Sequence, residues 1–98
     1  MDVRFANKEL DRLETDPGFD GGFPQEVVRK FRQRMQYIRA APNEQDFYAM
    51  KSFHYEKLRG GRSHQRSMRL NRKWRLILEI RQEEDGRVVI VVSIEDYH

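Results

Sequence analysis

The sequence predicts an α+β domain in which two N-terminal helices pack on a small, mostly antiparallel β-sheet. Apolar residues recur with a helical period in the first half of the chain and with a period of two in the second half. An Asp-Gly pair between two apolar stretches adds a hairpin signal near the end of the chain. With 98 residues, of which 38% are hydrophobic, the chain has room for one core, so residues 1–98 are expected to form a single domain.

A short strand and a short helix are expected at the start of the chain. Val3 and Phe5 alternate with polar neighbours, which indicates a first β-strand. Asn7 is a suitable N-cap for a helix that carries Leu10 and Leu13 on one face. A loop rich in proline and glycine follows this helix.

The longest helical pattern runs from about Gln25 to Ala41, between Pro24 and Pro42. Its apolar residues recur every three or four positions, as Val28, Phe31, Met35 and Ile38 do. Such a stripe is typical of a helix face buried in a core. Residues 44–57, by contrast, fit either a short helix or an irregular packed segment.

Three strands are expected in the second half of the chain. Residues 66–70 alternate in polarity, and residues 71–73 form a plausible turn. Trp74, Leu76, Leu78 and Ile80 then line one face of the next strand. Asp85-Gly86 predicts a hairpin, and the apolar run 88–92 predicts a central strand. We expect this strand to end at Ser93-Ile94 and to deliver residues 95–98 to the edge of the sheet.

The alternation predicts a basic surface on the sheet face away from the helices. If Trp74 and its partners face the helices, Arg75 and Arg81 face the other side. Ser67 and Arg69 either join them or lie opposite, because the sequence does not define the register across the turn. The loop of residues 59–62 would border this surface.

Positive charge is concentrated in the same region. The formal net charge is +3, from 19 Lys and Arg against 16 Asp and Glu. Residues 51–75 hold nine basic side chains and one acidic one, Glu56. Most of the basic residues in the chain are arginines, whose guanidinium groups bind phosphate through paired hydrogen bonds. The charge pattern therefore favours a nucleic-acid ligand slightly over a merely solvated basic surface.

Composition excludes several other classes of protein. The absence of cysteine excludes disulfide scaffolds, Cys-type zinc sites and thiol catalysis. The three histidines are dispersed without H-E-x-x-H spacing, so no metal site is expected, and no cofactor is expected either. No apolar run approaches membrane-spanning length and the start lacks a signal-peptide pattern, which predicts a cytoplasmic protein without membrane contact.

Three segments together resemble the RelE/ParE superfamily of toxins from bacterial toxin–antitoxin systems, and within it the HigB group. The first comprises residues 57–62 and 65–71, a basic loop and strand. The second, Trp74-Arg75-Leu76 after Asn71, is similar to the N-x-x-W-R hairpin return of that family. The third is Glu95-Asp96-Tyr97-His98, similar to the E-D-Y-H ending of HigB-type toxins. One departure is that Arg59-Gly60-Gly61 stands where the family tends to have Lys-Gly-Asp, which places the family's catalytic lysine on Arg59.

The resemblance implies a RelE-like fold and a type II toxin that acts as a ribosome-dependent endoribonuclease, or mRNA interferase. It implies metal-independent cleavage of translated mRNA, with the substrate's 2′-hydroxyl as nucleophile. The implied partners are the ribosome, mRNA and a cognate antitoxin of the HigA type with a helix-turn-helix domain. Operator DNA would be bound only through the toxin–antitoxin complex.

On this resemblance, the candidate catalytic residues are His98, Asp96, Arg75, Arg59, Tyr97, Lys57 and His54. His98 and Asp96 are candidates for general base or acid, the basic residues for phosphate neutralisation, and Tyr97 for stacking on a base. Some family members place a functional histidine three residues before the catalytic lysine. This spacing selects His54 only if Lys57 is that lysine, and His64 is a rival. The candidate RNA-binding residues are Arg62, Arg66, Arg69, Arg72 and Lys73.

Purely structural roles are the alternative to these catalytic assignments. Asp96 would then pair with a nearby arginine, and Arg75 would form a structural ion pair with Glu79 or Asp96. Two other functions also fit the sequence. One is a ParE-like DNA gyrase poison, which needs no acid–base pair, and the other is a non-enzymatic RNA-binding module, for which a basic sheet suffices.

Overall fold

The structure, a computed structural model, describes residues 1–96. The helices and strands, in chain order, are β1 (Asp2–Phe5), α1 (Lys8–Thr15), α2 (Gln25–Ala40), α3 (Gln45–Ala49), β2 (Glu56–Lys57), β3 (Arg66–Arg69), β4 (Trp74–Glu83) and β5 (Gly86–Asp96). Two 3₁₀ turns, Lys51–Phe53 and Gly60–Arg62, flank β2. Within residues 1–96, no helix is both long enough and apolar enough to cross a membrane.

The five strands form one sheet in the order β1-β5-β4-β3-β2. β1 pairs with β5 in parallel, and the other neighbouring strands pair antiparallel. The α+β class and the mostly antiparallel sheet are therefore confirmed. The description as two N-terminal helices is incomplete, because β1 precedes α1 and α3 follows α2. α3 lies in the ambiguous segment, where the fully buried Phe47 holds it against the core.

The helices begin and end where their local sequence indicates. The side chain of Asn7 accepts a hydrogen bond from the Leu10 N–H at 3.0 Å, which satisfies one open donor at the start of α1. α2 starts directly after Pro24 and buries Phe31, Met35 and Ile38 completely. These side chains pack with Leu76, Leu78, Val89 and Val91 of the sheet, all of which are fully buried. The core thus lies between the helices and one face of the sheet.

The last strand is central, as predicted, but it is longer than predicted. β5 lies between β1 and β4 and continues to Asp96, beyond the predicted end at Ser93-Ile94. Its pairing with β4 extends beyond an irregularity at Ile77/Leu78, so that Glu95 lies opposite Arg75 and Asp96 opposite Trp74. The preceding hairpin is shifted by one residue, because Gly86 already belongs to β5 and adopts φ +121°, a value that favours glycine.

Strand register assigns each residue to one of two faces. Leu76 and Leu78 face the helices, so Arg75 and Arg81 face the opposite side, as predicted. The register of β3 and β5 places the following side chains on this opposite side, called here the open face: Ser67, Arg69, Ser93 and Glu95. Arg66 lies opposite Leu78 and Asp96 opposite Trp74, which assigns both to the helix side of the sheet.

Candidate active site

Arg75 lies at the centre of the candidate site on the open face. Its Nε donates to the Ser67 hydroxyl at 3.0 Å, and its Nη2 donates to the His54 carbonyl oxygen at 2.9 Å. Its Nη2 is also 3.6 Å from Oε1 of Glu56. The side chain is only 13% exposed. Several fixed neighbours therefore hold this guanidinium in one orientation.

Arg69 and His54 lie beside Arg75. Arg69 is directly opposite Arg75 on the neighbouring strand, so two guanidinium groups start from paired positions. Arg69 donates from Nε to the Asn71 carbonyl oxygen at 3.1 Å, and its Nη1 is 3.3 Å from Nε2 of His54. Like charges at paired positions destabilise a sheet, and an anion bound between them would remove that penalty. We call Arg69, Arg75 and His54 the arginine–histidine cluster.

The backbone at His54 is unusual. Its φ is +43°, in the left-handed region, and it is the single non-glycine residue with positive φ among residues 1–96. This conformation ends the 3₁₀ turn Lys51–Phe53 and directs the His54 carbonyl to Arg75. Non-glycine residues pay a conformational penalty there and occur preferentially at functional sites.

An ion pair ties the loop of residues 59–62 to β5. Arg62 donates from Nη1 and Nη2 to the two carboxylate oxygens of Glu95 at 2.9 and 2.8 Å. Ser93 donates its hydroxyl proton to Glu95 at 2.7 Å, and Gln65 accepts from Nε of Arg62 at 2.9 Å. The hydrogen bonds from Arg62, and secondarily that from Ser93, hold the pKa of Glu95 below its usual range. Because Glu95 lies opposite Arg75, this pair fixes the loop next to the arginine–histidine cluster.

Replacing Glu95 with glutamine is expected to loosen this loop. The pair is partly exposed, so its loss should cost roughly 0.2–1 kcal/mol and speed amide exchange at Ser63 and Gln65 by about two- to fivefold. The lowered pKa predicts the same effect in acid: the contribution is present above the ordinary carboxyl pKa and is lost as pH falls through the lower pKa of the folded state. Hydrogen exchange followed by NMR measures both effects.

Glu83→Gln is the matched control, because Glu83 pairs with Arg4 elsewhere on the open face. It should leave exchange at residues 63–65 unchanged. Equal protection of these residues in Glu95→Gln and in the wild-type chain would show that the Arg62–Glu95 pair does not hold the loop.

The remaining predicted residues occupy several places. Lys57 and Arg59 are exposed, in β2 and in the following loop. Arg66 has its Nε 3.4 Å from Glu44 on the helix side, so it does not share a surface with Arg69. Asp96 is 3.4 Å from Nζ of Lys73, also on the helix side.

Arg72 is exposed in the β3–β4 turn, next to Lys73. His64 is exposed, and its Nε2 lies 3.9 Å from Oε2 of Glu79. It does not share the contact with Arg69 that His54 makes. Tyr97 and His98 lie outside the described residues, and their roles stay predictions.

Several polar residues of the site were not predicted from the sequence to have a role in it. Ser67 is fully buried and orients Arg75, and Glu56 lies near the same guanidinium. In the sequence these residues lie in short polar stretches, and such stretches are too common to identify a site. Glu95 belongs to the C-terminal motif, but its partner Arg62 lies 33 residues earlier in the chain.

The fold is shared with several solved structures. The chain is similar to a YoeB/ParE toxin from Agrobacterium tumefaciens, with 15% identity, 100% of both chains covered and a TM-score of 0.65. It is similar to YafQ from E. coli, with 11% identity, 97% of this chain and 91% of that chain covered, and a TM-score of 0.61. A conserved hypothetical protein from Helicobacter pylori gives 15% identity, coverage of 98% and 93%, and a TM-score of 0.53.

The sequence itself identifies the family. No curated protein matches the chain at a significant level. Residues 3–98, however, match the family described as RelE-like toxin of type II toxin–antitoxin system HigB. This match confirms the resemblance that was inferred from three short segments. The chain therefore belongs to the HigB-like toxins, the RelE-like toxins of type II toxin–antitoxin systems.

Proposed function

We propose that this toxin is a ribosome-dependent endoribonuclease that cleaves translated mRNA. The observation that carries the proposal is the arginine–histidine cluster on the open face. It combines two guanidinium groups at paired strand positions with a histidine ring 3.3 Å from one of them. Guanidinium groups bind phosphate oxygens, and histidine transfers protons near neutral pH.

The proposed reaction uses the substrate's own 2′-hydroxyl as nucleophile. Its oxygen bonds to the adjacent phosphorus while a general base takes its proton, and the bond from phosphorus to the 5′-oxygen breaks as a general acid protonates that oxygen. The products are a 2′,3′-cyclic phosphate and a 5′-hydroxyl end. Arg75 and Arg69 would stabilise the extra negative charge on the phosphorane. His98 remains the proposed proton-transfer group, and His54 is the histidine that lies in the cluster. Asp96, the second predicted acid–base candidate, lies on the helix side of the sheet, 3.4 Å from Lys73, so it is not assigned to proton transfer at this cluster.

The other predicted residues would support substrate binding. Arg59 and Lys57 lie in or next to the loop that Arg62 ties to Glu95, so they are proposed to contact phosphates at the rim of the site. Tyr97 is proposed to stack on an unpaired base, as aromatic side chains do in many RNA complexes.

The toxin is proposed to be held inactive by a cognate antitoxin of the HigA type. Family membership supports an antitoxin partner, because the family is defined by type II toxin–antitoxin systems. The antitoxin's helix-turn-helix domain would bind operator DNA, and the toxin would reach that DNA only through the complex.

The proposal is tested by translating a defined mRNA with the wild-type protein and mapping the new 5′ ends. We expect discrete cuts that require ribosomes and that disappear when antitoxin is added. Equal cutting of free mRNA would contradict ribosome dependence. No cuts at all would overturn the nuclease proposal, and inhibition of DNA gyrase supercoiling would then favour a ParE-like poison.

A further inference from the structure

A basic groove lies between α2 and the β3–β4 turn. It has a volume of about 380 Å³ and is lined by four cationic side chains, Lys30, Arg34, Arg69 and Arg72, and one acidic one, Glu26. His54 also lines it, so the groove adjoins the arginine–histidine cluster. We propose that this groove binds a backbone phosphate of the RNA strand, next to the phosphate that is cleaved. This inference rests on the proposed function.

The groove holds positive charge that the fold does not neutralise. Among residues 1–96, none of its four cations has a carboxylate oxygen within 4.0 Å. Arg4, Arg39 and Arg62, by contrast, each place two nitrogens on one carboxylate. The side chains of the groove are therefore available to an external anion, whereas many other arginines are occupied.

Two of the groove's three guanidinium groups are held in place before any ligand binds. Arg34 donates from Nε to the Arg69 carbonyl oxygen at 3.2 Å, and its guanidinium lies 4.4 Å from the centre of the Phe53 ring. Arg69 is held by the Asn71 carbonyl oxygen and by His54. Binding then costs little side-chain entropy. Burial lowers the pKa of Arg34, which means that the charged form lacks solvation that a phosphate would replace.

The position of Arg69 favours RNA over an acidic peptide as the ligand. This residue lines the groove and also lies directly opposite Arg75. A polynucleotide carries a negative charge at every nucleotide, so one strand can place one phosphate at Arg75 and a neighbouring one in the groove. Lys30 and Arg34 of α2 would thus belong to the RNA-binding surface, although the charge cluster of residues 51–75 does not include them.

The test is the affinity for a single-stranded RNA oligonucleotide, measured by fluorescence anisotropy over a range of salt concentrations. In Lys30→Gln/Arg72→Gln, the affinity should fall about 5- to 20-fold and the salt dependence should become shallower by about 0.7–1.4 in log–log slope. Arg29→Gln is the matched control, because Arg29 is exposed on α2 next to Lys30 but does not line the groove. It should bind like the wild-type chain.

Each outcome decides between alternatives. Equal affinities of the double variant and Arg29→Gln would overturn the groove proposal. A double variant that keeps RNA affinity but loses antitoxin binding would overturn it in favour of an acidic peptide. Absence of binding of free RNA by the wild-type chain would overturn the groove proposal, whereas the ribosome-dependent nuclease is decided separately by the mRNA cleavage assay. RNA binding that depends on the groove, without any mRNA cleavage, would support the groove proposal and overturn the nuclease proposal. The failures of the two proposals can therefore be distinguished.

Discussion

Replacing Arg75 with alanine is expected to lower ribosome-dependent mRNA cleavage by about 10²–10³-fold. This is the typical loss on removing one fixed donor that stabilises charge in a transition state. Ser67 and the His54 carbonyl hold the guanidinium in place, and it is 13% exposed, so little reorganisation is needed when the phosphorane forms. The measurement is the single-turnover rate of cleavage on a defined mRNA bound to ribosomes.

Two further variants make this prediction specific. Arg81→Ala removes the same charge from the same strand and face at an exposed position, and it should change the rate by less than about threefold because surface charges act weakly over distance. Arg75→Lys keeps the charge but loses the planar fork, so its rate should fall between wild type and Arg75→Ala. Equal rates for Arg75→Ala and Arg81→Ala, in proteins with unchanged melting temperatures, would remove Arg75 from the catalytic machinery.

The periodicity of the sequence was sufficient to predict most of the secondary structure. α1 and α2 are amphipathic, so their apolar period reports directly which face the core covers. The alternating polarity of the sequence located β3 and β4, although each strand buries consecutive residues. For α3 the sequence left a short helix and an irregular segment as alternatives, because α3 has five residues and depends on tertiary packing of Phe47 rather than on its own helical propensity. The predicted end of β5 was wrong for a related reason. Its last residues are polar, and their pairing with Trp74 and Arg75 is a long-range property.

The candidate site was predictable only in part, because basic residues that are close together in the sequence need not lie on the same surface of the protein. Residues 66–73 contain four basic side chains and no acidic one, yet Arg66 and Lys73 lie near Glu44 and Asp96 on the helix side. Arg69, in contrast, faces the open side beside His54. Alternation along a strand separates neighbours in sequence onto opposite faces, and the register that decides between them is set by β4.

Replacing His98 with alanine is expected to give the largest loss of activity, about 10²–10⁴-fold in cleavage rate. The reason is chemical: the proposed reaction needs a group that exchanges a proton near neutral pH, and the chain has three histidines for this role, His54, His64 and His98. Cleavage by each single alanine variant should therefore be compared at the same ribosome concentration.

The pattern across the three variants assigns the proton-transfer role. If His98 carries the acid or base function, His98→Ala loses one limb of the pH–rate profile while still binding ribosomes, and His64→Ala behaves like the wild-type chain. His54→Ala should give an intermediate loss, since its ring lies 3.3 Å from Arg69 while its backbone carbonyl continues to hold Arg75. A full loss in His54→Ala together with an unchanged His98→Ala would transfer the role to His54. An unchanged rate in all three variants would exclude histidine catalysis.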